Sequence, residues 1–523
     1  MTSMGMGGGG RGGGGGGGRR GWASDEESAA GIHPGQLLKQ FASFFKPFHK
    51  WIALSVLLAL TLSLIELATP QIIRMILDGP VRERDLGGVR HLTIIFASIV
   101  IATFFLEALL TLVVNYTGQS AMHMMRGRIF SHLQTLDVHF FDHNPVGCLL
   151  TRVMNDVNAL NEALTSGIPM IFRDLFFLAG IVVMLFWTDW RLALWVFICF
   201  PLVLAVGWRF SRAMRKYYRM ARARLAAMNS YLQENLSGMR IVQLFVQEQR
   251  MFKKFSDLNG RYRDAQLATV LTFSLIFPAI EVFTALALAI ILWRGGLRLG
   301  EGTIQYGVLF AFLLYVRRFF NPIRDLAEKY NTFESSMAAA ERIFDLLDKK
   351  PAIVDAAQPA SVTPFHSSLE FDNVWFAYSN EEWVIRDLSF SVAKGQTVAI
   401  VGATGAGKST IINLVQRFYD VRQGAIRIDG RDIRDIPQQE LRRKFAIVLQ
   451  DVFLFSGTVA ENIRLGRPEM SDEEVRHAAR TVHADTFIER FEDSYQHKIL
   501  ERGATLSVGQ KQLLAFARAL ACQ

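Results

Sequence analysis

Six apolar stretches dominate the chain up to residue 330, at 51–73, 92–114, 164–187, 192–208, 267–293 and 303–316 with its extension. A helix needs about 20 mostly apolar residues to cross the hydrocarbon of a bilayer. Inside lipid each backbone amide and carbonyl must be satisfied within the protein, so such stretches fold as helices. The third stretch carries Arg173 and Asp174, and the sixth runs into Arg317 and Arg318. An amphipathic segment at 37–50, with Phe41, Phe44, Phe45 and Phe48, precedes the first and suits a helix lying in the interface. The expected fold is therefore an α-helical membrane domain with six transmembrane helices, followed by a second domain.

The connections alternate in length. Those at 78–91, 188–191 and 294–302 are short, and those at 115–163 and 209–266 are long. The second long one carries Arg209, Arg212, Arg215, Lys216, Arg219, Arg222, Arg224 and six further basic residues. A Lys/Arg excess marks the cytoplasmic side, which places the long loops and both termini there. The loops are rich in helix formers, with breaks expected at 145–147 and 237–238. Glu66, Glu107 and Glu281 fall inside spans, where a charge is costly. They either line a wet path or form structural pairs, such as Glu107 with Arg173.

Half of the 523 residues are hydrophobic, too many and too long a chain for one soluble domain. The net charge of +9 does not imply nucleic acid, because the basic residues sit between apolar spans as membrane loops do. Cys148, Cys199 and Cys522 are widely spaced, which argues against a disulfide framework or a zinc site. Residues 1–36 form a glycine-rich tail expected to be disordered, without the apolar core of a signal peptide.

Beyond the spans, 346–365 reads as a linker, and a strand pattern starts at Leu369. Gly402, Ala403, Thr404, Gly405, Ala406, Gly407, Lys408 and Ser409 match the phosphate-binding loop G-x-x-x-x-G-K-[ST]. An apolar segment expected to be a strand, 396–401, precedes it, and a helix pattern from Ser409 follows. The glycines allow backbone amides to close around phosphate oxygens, and the helix N-terminus adds favourable charge. Lys408 is then placed for the β- and γ-phosphates and Ser409 for Mg²⁺.

The order of these features resembles that of ABC exporters, in which six membrane helices and an ATPase domain share one chain. Leu506, Ser507, Val508, Gly509 and Gln510 resemble the family's signature, usually LSGGQ, with Val508 at the second glycine. Tyr378 resembles the aromatic that stacks on adenine, and Gln450 the glutamine that contacts Mg²⁺ and the attacking water. Thr410 extends the ATP-binding loop in the same pattern. Phe140-Phe141-Asp142 with Gly147, and Glu234-Asn235 with Gly238, resemble the two intracellular loops whose tips couple ATPase to membrane helices.

The resemblance implies a membrane domain at 37–345 and an α/β P-loop ATPase domain at 366–523. The family next supplies an Asp-Glu pair and a histidine. These do not precede Gln523, so the C-terminal part of the domain, with its catalytic Glu, is expected to be missing. It further implies ATP and Mg²⁺ as cofactors, a homo- or heterodimer with a second half-transporter, and membrane lipid around the spans. The substrate would be small and amphipathic: a drug, lipid or peptide. The resemblance implies a bacterial inner membrane as the setting. The alternative reading is a non-hydrolysing partner subunit, or an inactive truncated fragment.

Overall fold

A computed structural model describes residues 44–521 apart from 199, 357–364, 380–381, 466 and 468. The glycine-rich tail, much of the amphipathic segment and much of the linker fall outside these residues. The chain divides into two compact units: Met1–Ser131 with Leu149–Asp348, and His132–Cys148 with Lys349–Gln523.

The first unit is helical. Its long helices are α1 (His49–Ile76) and α2 (Leu86–Leu133). After a short helix of the second unit, α3 (Val138–His143), come α4 (Ile168–Phe197), α5 (Phe200–Ser237), α6 (Glu248–Ile290) and α7 (Tyr306–Leu347). Among the described residues, four helices are long and apolar enough to cross a membrane: Lys46–Val81, Leu86–Leu133, Pro169–Phe197 and Glu281–Gly300. The expected fourth span is divided between the end of α4 and the start of α5. The expected sixth opens α7, where Arg317 and Arg318 cut its apolar run. Phe44 and Phe45 are buried against the chain, with the Arg128 guanidinium 5.7 Å from the Phe44 ring, rather than lying free in an interface.

The core forms where α1, α4, α6 and α7 meet, around Leu67, Ile181, Leu185, Ala287, Phe312 and Tyr315. Burying a large apolar side chain stabilises by about 1.5–3 kcal/mol in water. In lipid the drive shifts to close packing and hydrogen bonds. Tyr315 supplies both: its ring is buried and its hydroxyl donates to the Leu67 carbonyl at 2.6 Å. Gly307, in the first turn of α7, sits against α1. A Cβ there would lie 2.6 Å from the Arg74 carbonyl, and its amide donates to Asp78 Oδ1 at 2.6 Å.

Asp189 breaks α4 with φ −161° and ψ 106°. Its Oδ1 accepts the amides of Arg191 and Leu192, each at 3.0 Å. This is the N-cap function expected of aspartate, and it shrinks the expected 188–191 loop to a kink. Oδ2 also holds Arg298 at 2.7 Å.

Of the three glutamates inside spans, Glu66 is the one that pairs with Arg173. The expected Glu107–Arg173 pair does not form; Glu107 and Glu281 are exposed on this chain. Asp174 pairs with Lys329, and Asp156 takes two bonds from Arg342, at 3.0 and 2.6 Å.

The second unit is mixed. Strands β1 (Ser368–Ala377), β2 (Trp383–Ala393), β3 (Gln423–Ile428) and β4 (Arg431–Asp432) form an antiparallel sheet in the order β2-β1-β3-β4. The helix α8 (Lys408–Val415) packs on it through Ile411, Leu414 and Val415. A separate apolar cluster joins Leu454, Val459, Ile463 and Ile488 to two helices, α9 (Asp472–Thr481) and α10 (Val508–Ala521). Residues 396–401, expected as a strand, carry no ladder, and Val398, Ile400 and Val401 are exposed. Apolar alternation sets extended backbone, but a strand also needs a neighbour to exchange hydrogen bonds with. Among the described residues this segment has none.

Candidate nucleotide site

The phosphate loop runs from Gly402 into the first turn of α8. Gly405 and Gly407 have φ of +89° and +84°, the left-handed region that glycine enters without steric cost. Gly407 has a second constraint, since a Cβ there would lie 3.2 Å from Val384 Cγ1 on β2. The loop therefore turns tightly against the sheet and leads into α8, whose first-turn amides lack partners within the helix. Gly402, Ala403, Thr404, Gly405, Ala406 and Ser409 are exposed, whereas Thr410 is buried. The Lys408 ammonium donates to the carbonyls of Gly402 and Ala403, both at 2.9 Å, and so lies over the loop.

Tyr378 follows β1 and reaches α8. Its hydroxyl donates to Thr410 Oγ1 at 3.0 Å. Its ring is half-buried and stands edge-on to Phe376 at 4.9 Å and to Tyr419 at 5.0 Å. The structure thus brings Tyr378 to the loop's helix. Gln450 is exposed after residues 445–449, which like 396–401 carry no ladder.

The signature residues start α10, in the other apolar cluster. Leu506 is buried and anchors the segment. The Ser507 amide donates to Gln510 Oε1 at 2.9 Å, and the Gln510 amide donates to Ser507 Oγ at 3.3 Å. This reciprocal cap holds the helix start in one conformation. Ser507, Val508 and Gly509 are exposed, and nothing lies within 4 Å of a Cβ at Gly509. The phosphate loop and the signature belong to different apolar clusters.

Sequence reasoning missed the surroundings of Tyr419. Residues 132–148 belong to the nucleotide unit although they lie far upstream. Asp137 caps α3 by accepting the Phe140 amide at 3.0 Å, and its other oxygen accepts the Ala352 amide at 2.6 Å. Tyr419 donates its hydroxyl to Asp142, and its ring meets His139 edge-on at 6.1 Å. Burial, followed by the Asp142 carboxylate, pushes the Tyr419 hydroxyl well above the usual tyrosine range, so it stays a donor at neutral pH. The Tyr419 ring also supports Phe376 and Tyr378. One continuous set of side chains thus runs from α3 through Tyr419 and Tyr378 to Thr410. The expected tip at 144–149 lies just beyond, with Val146 exposed. Phe140-Phe141-Asp142 was the available signal for α3; the role of Tyr419 had none.

Residues 52–323 match the family model described as the ABC transporter transmembrane region, and 385–523 match that described as ABC transporter. The chain is similar to an uncharacterized ABC transporter ATP-binding protein of Bacillus subtilis: 35% identical, covering 95% of this chain and 83% of that one. It is similar to an ATP-dependent lipid A-core flippase of Desulfotalea psychrophila at 33% identity, over 87% of this chain and 79% of the other. A fatty acid ABC transporter ATP-binding/permease protein of Mycobacterium bovis is 35% identical over 77% of this chain and 64% of its own.

Proposed function

Since the chain belongs to the ABC transporter family, with membrane and nucleotide parts fused in that order, we infer that it works as one half of a dimeric exporter. Hydrolysis of ATP is coupled to transport, and the protein is an integral, multi-pass membrane protein. The observation that carries the site assignment is the left-handed glycine turn into α8, with Lys408 lying over it.

In this reading Gly402–Thr410 cradles the phosphates, Lys408 turns to the β- and γ-oxygens, and Tyr378 meets the adenine. Ser409 and Gln450 would be the protein groups to hold Mg²⁺, which would balance the charge of the phosphates. This suits the donor set: Mg²⁺ is usually held by few protein groups plus phosphates, and the described residues hold no cluster of three carboxylate, histidine or cysteine groups. The exposed Ser507–Gly509 start of α10 would face the γ-phosphate bound by a second half-transporter, because each chain carries one loop and one signature.

The proposed boundaries are 37–345 for the membrane domain, 346–365 for the linker and 366–523 for the ATPase domain. The nucleotide domain and both termini are assigned to the cytoplasm of a bacterial inner membrane. The relatives' printed substrates, a lipid A core and a fatty acid, favour an amphipathic substrate for this chain too. The test is Lys408→Ala in the full-length protein. Affinity for a fluorescent ATP analogue should fall sharply and transport should cease, because the charge opposite the phosphates is gone. Unchanged binding would refute the assignment of the loop.

A further inference from the structure

Among the described residues, Arg294 is held by two aromatic rings and by no hydrogen-bond acceptor. It lies in the π-helical turn Ile291–Gly295, near the end of the apolar helix Glu281–Gly300. Ile291 and Gly295 are buried, and a Cβ at Gly295 would lie 2.5 Å from Leu309 Cδ1 on α7, so that side of the turn packs inward. The Arg294 guanidinium carbon stands 4.2 Å from the centre of the Trp195 ring and 5.1 Å from that of Trp293. Its Nε is buried without a hydrogen-bond partner. Arg298, four residues on, differs: it is paired with Asp189 at 2.7 Å. Stacking engages the face of a guanidinium. The N–H donors lie in its plane, at the edge, and a buried donor without an acceptor is costly.

The surroundings point to the kind of acceptor. Trp187, Trp190 and Trp195 flank the break of α4 at Asp189, and Trp293 adjoins Arg294. These are four of the chain's nine tryptophans, and all four are exposed. The Asp189–Arg298 bond brings their two stretches of chain to the same end of the helical unit. Both stretches belong to helices long and apolar enough to cross a membrane, Pro169–Phe197 and Glu281–Gly300. Exposed tryptophan gathers at the headgroup level of a bilayer, where phosphate is the abundant acceptor. Leu194, Ile198 and Leu292, also exposed, offer acyl chains an apolar surface beside the rings.

We propose that Arg294, stacked between Trp195 and Trp293, is a binding site for the phosphate of an anionic phospholipid. The rings hold the guanidinium in one plane. Its edge then takes two phosphate oxygens side by side. A zwitterionic headgroup carries an ammonium of its own that competes with Arg294 for the phosphate, so a headgroup of net negative charge is preferred.

The experiment uses the full-length protein labelled with 5-fluorotryptophan, in nanodiscs of phosphatidylcholine with increasing phosphatidylglycerol. W195F and W293F assign the two fluorine resonances. In the wild type both should shift with phosphatidylglycerol and saturate while it is still the minor lipid. A hydrogen bond to a charged group contributes about tenfold or more, so R294Q should need about tenfold more phosphatidylglycerol for the same shift. Unmoved resonances of the other tryptophans show that this variant is folded. R294K keeps the charge without the planar fork and should retain part of the response, which keeps the test open if the glutamine variant misfolds. No lipid-dependent shift in the wild type, or the wild-type titration in R294Q, overturns the proposal. So does the same shift from soluble glycerol phosphate in pure phosphatidylcholine discs, which would make this a site for free phosphate. A shift that follows the number of copies per disc instead of the lipid would assign the rings to a second copy, and also overturns it. The titration needs no nucleotide, so it stands apart from the exporter assignment.

Discussion

Tyr419→Phe tests whether α3 is held on the nucleotide unit by the bond to Asp142. The substitution removes one hydroxyl and keeps the ring, with its edge contacts to Phe376 at 5.6 Å and Tyr378 at 5.0 Å. A hydrogen bond to a charged partner contributes about 1.5–3 kcal/mol. Asp142 is exposed, so water replaces part of what is lost, which brings the expected cost to about 1 kcal/mol. That is roughly a fivefold shift in the undocking equilibrium. Hydrogen exchange of the 138–143 amides, followed by mass spectrometry in the full-length protein, should speed up by about that factor. Asp142→Ala should do the same, and the double variant should add little, giving an interaction energy near 1 kcal/mol. Transport per ATP hydrolysed should fall in each variant while ATP affinity holds. If exchange changes less than twofold, or the two effects simply add, the bond does not hold the segment.

The remaining predictions concern binding and stability. Tyr378→Ala should weaken ATP by about 1–3 kcal/mol, on the scale of base stacking, while Tyr378→Phe, which loses only the bond to Thr410, should stay close to wild type in a fluorescent-nucleotide titration. Arg417 is almost fully buried, bonded to Asp420 at 3.0 Å and to the Val354 carbonyl at 3.1 Å. Arg417→Met should destabilise the nucleotide unit by about 2–3 kcal/mol in denaturant unfolding, less than the ~3–5 kcal/mol of a fully enclosed pair, because Asp420 and Asp355 keep solvent. The amides of His366, Ser367 and Ser368 hold the Asp429 carboxyl below the usual range. A lowered folded-state pKa gives stability that is present above the unfolded value, about 3.9, and lost as pH falls through the folded one. Protection of those amides should therefore exceed that of Asp429→Asn at neutral pH and converge with it as pH falls below the ordinary carboxylate range; a constant difference would refute the linkage.

The glycine turn into α8 was legible because Gly405, Gly407 and the residues that follow meet local constraints: two left-handed φ values, a contact with β2 and a helix start. The cap between Ser507 and Gln510 was not read from the sequence, although the two are only three residues apart. Partnerships between distant elements were not legible. The sequence offers Glu107 as an example of a partner for Arg173, but the fold brings it Glu66; span composition says nothing of how helices rotate against each other. Residues 396–401 read as a strand because their apolar content fixes backbone preference but not a neighbour. Asp189 shows a short-range signal passed over: an Asp two and three residues before amides it can cap.

The nucleotide unit is built from two stretches of chain, and one of the bonds that join them, Tyr419 to Asp142, links residues 277 apart. For a free polymer, closing such a loop costs roughly 5 kcal/mol in entropy, more than the Tyr419–Asp142 bond returns. Here the intervening chain is itself folded into helices, so the ends approach only once that unit has formed. Attachment of α3 is therefore a late event in biogenesis, conditional on the membrane helices. During synthesis from the N-terminus, residues 132–148 emerge long before their acceptor around Tyr419 exists. A membrane unit that misassembles would then withhold α3, leaving the aromatic face of Tyr419 uncovered and open to chaperones and proteases.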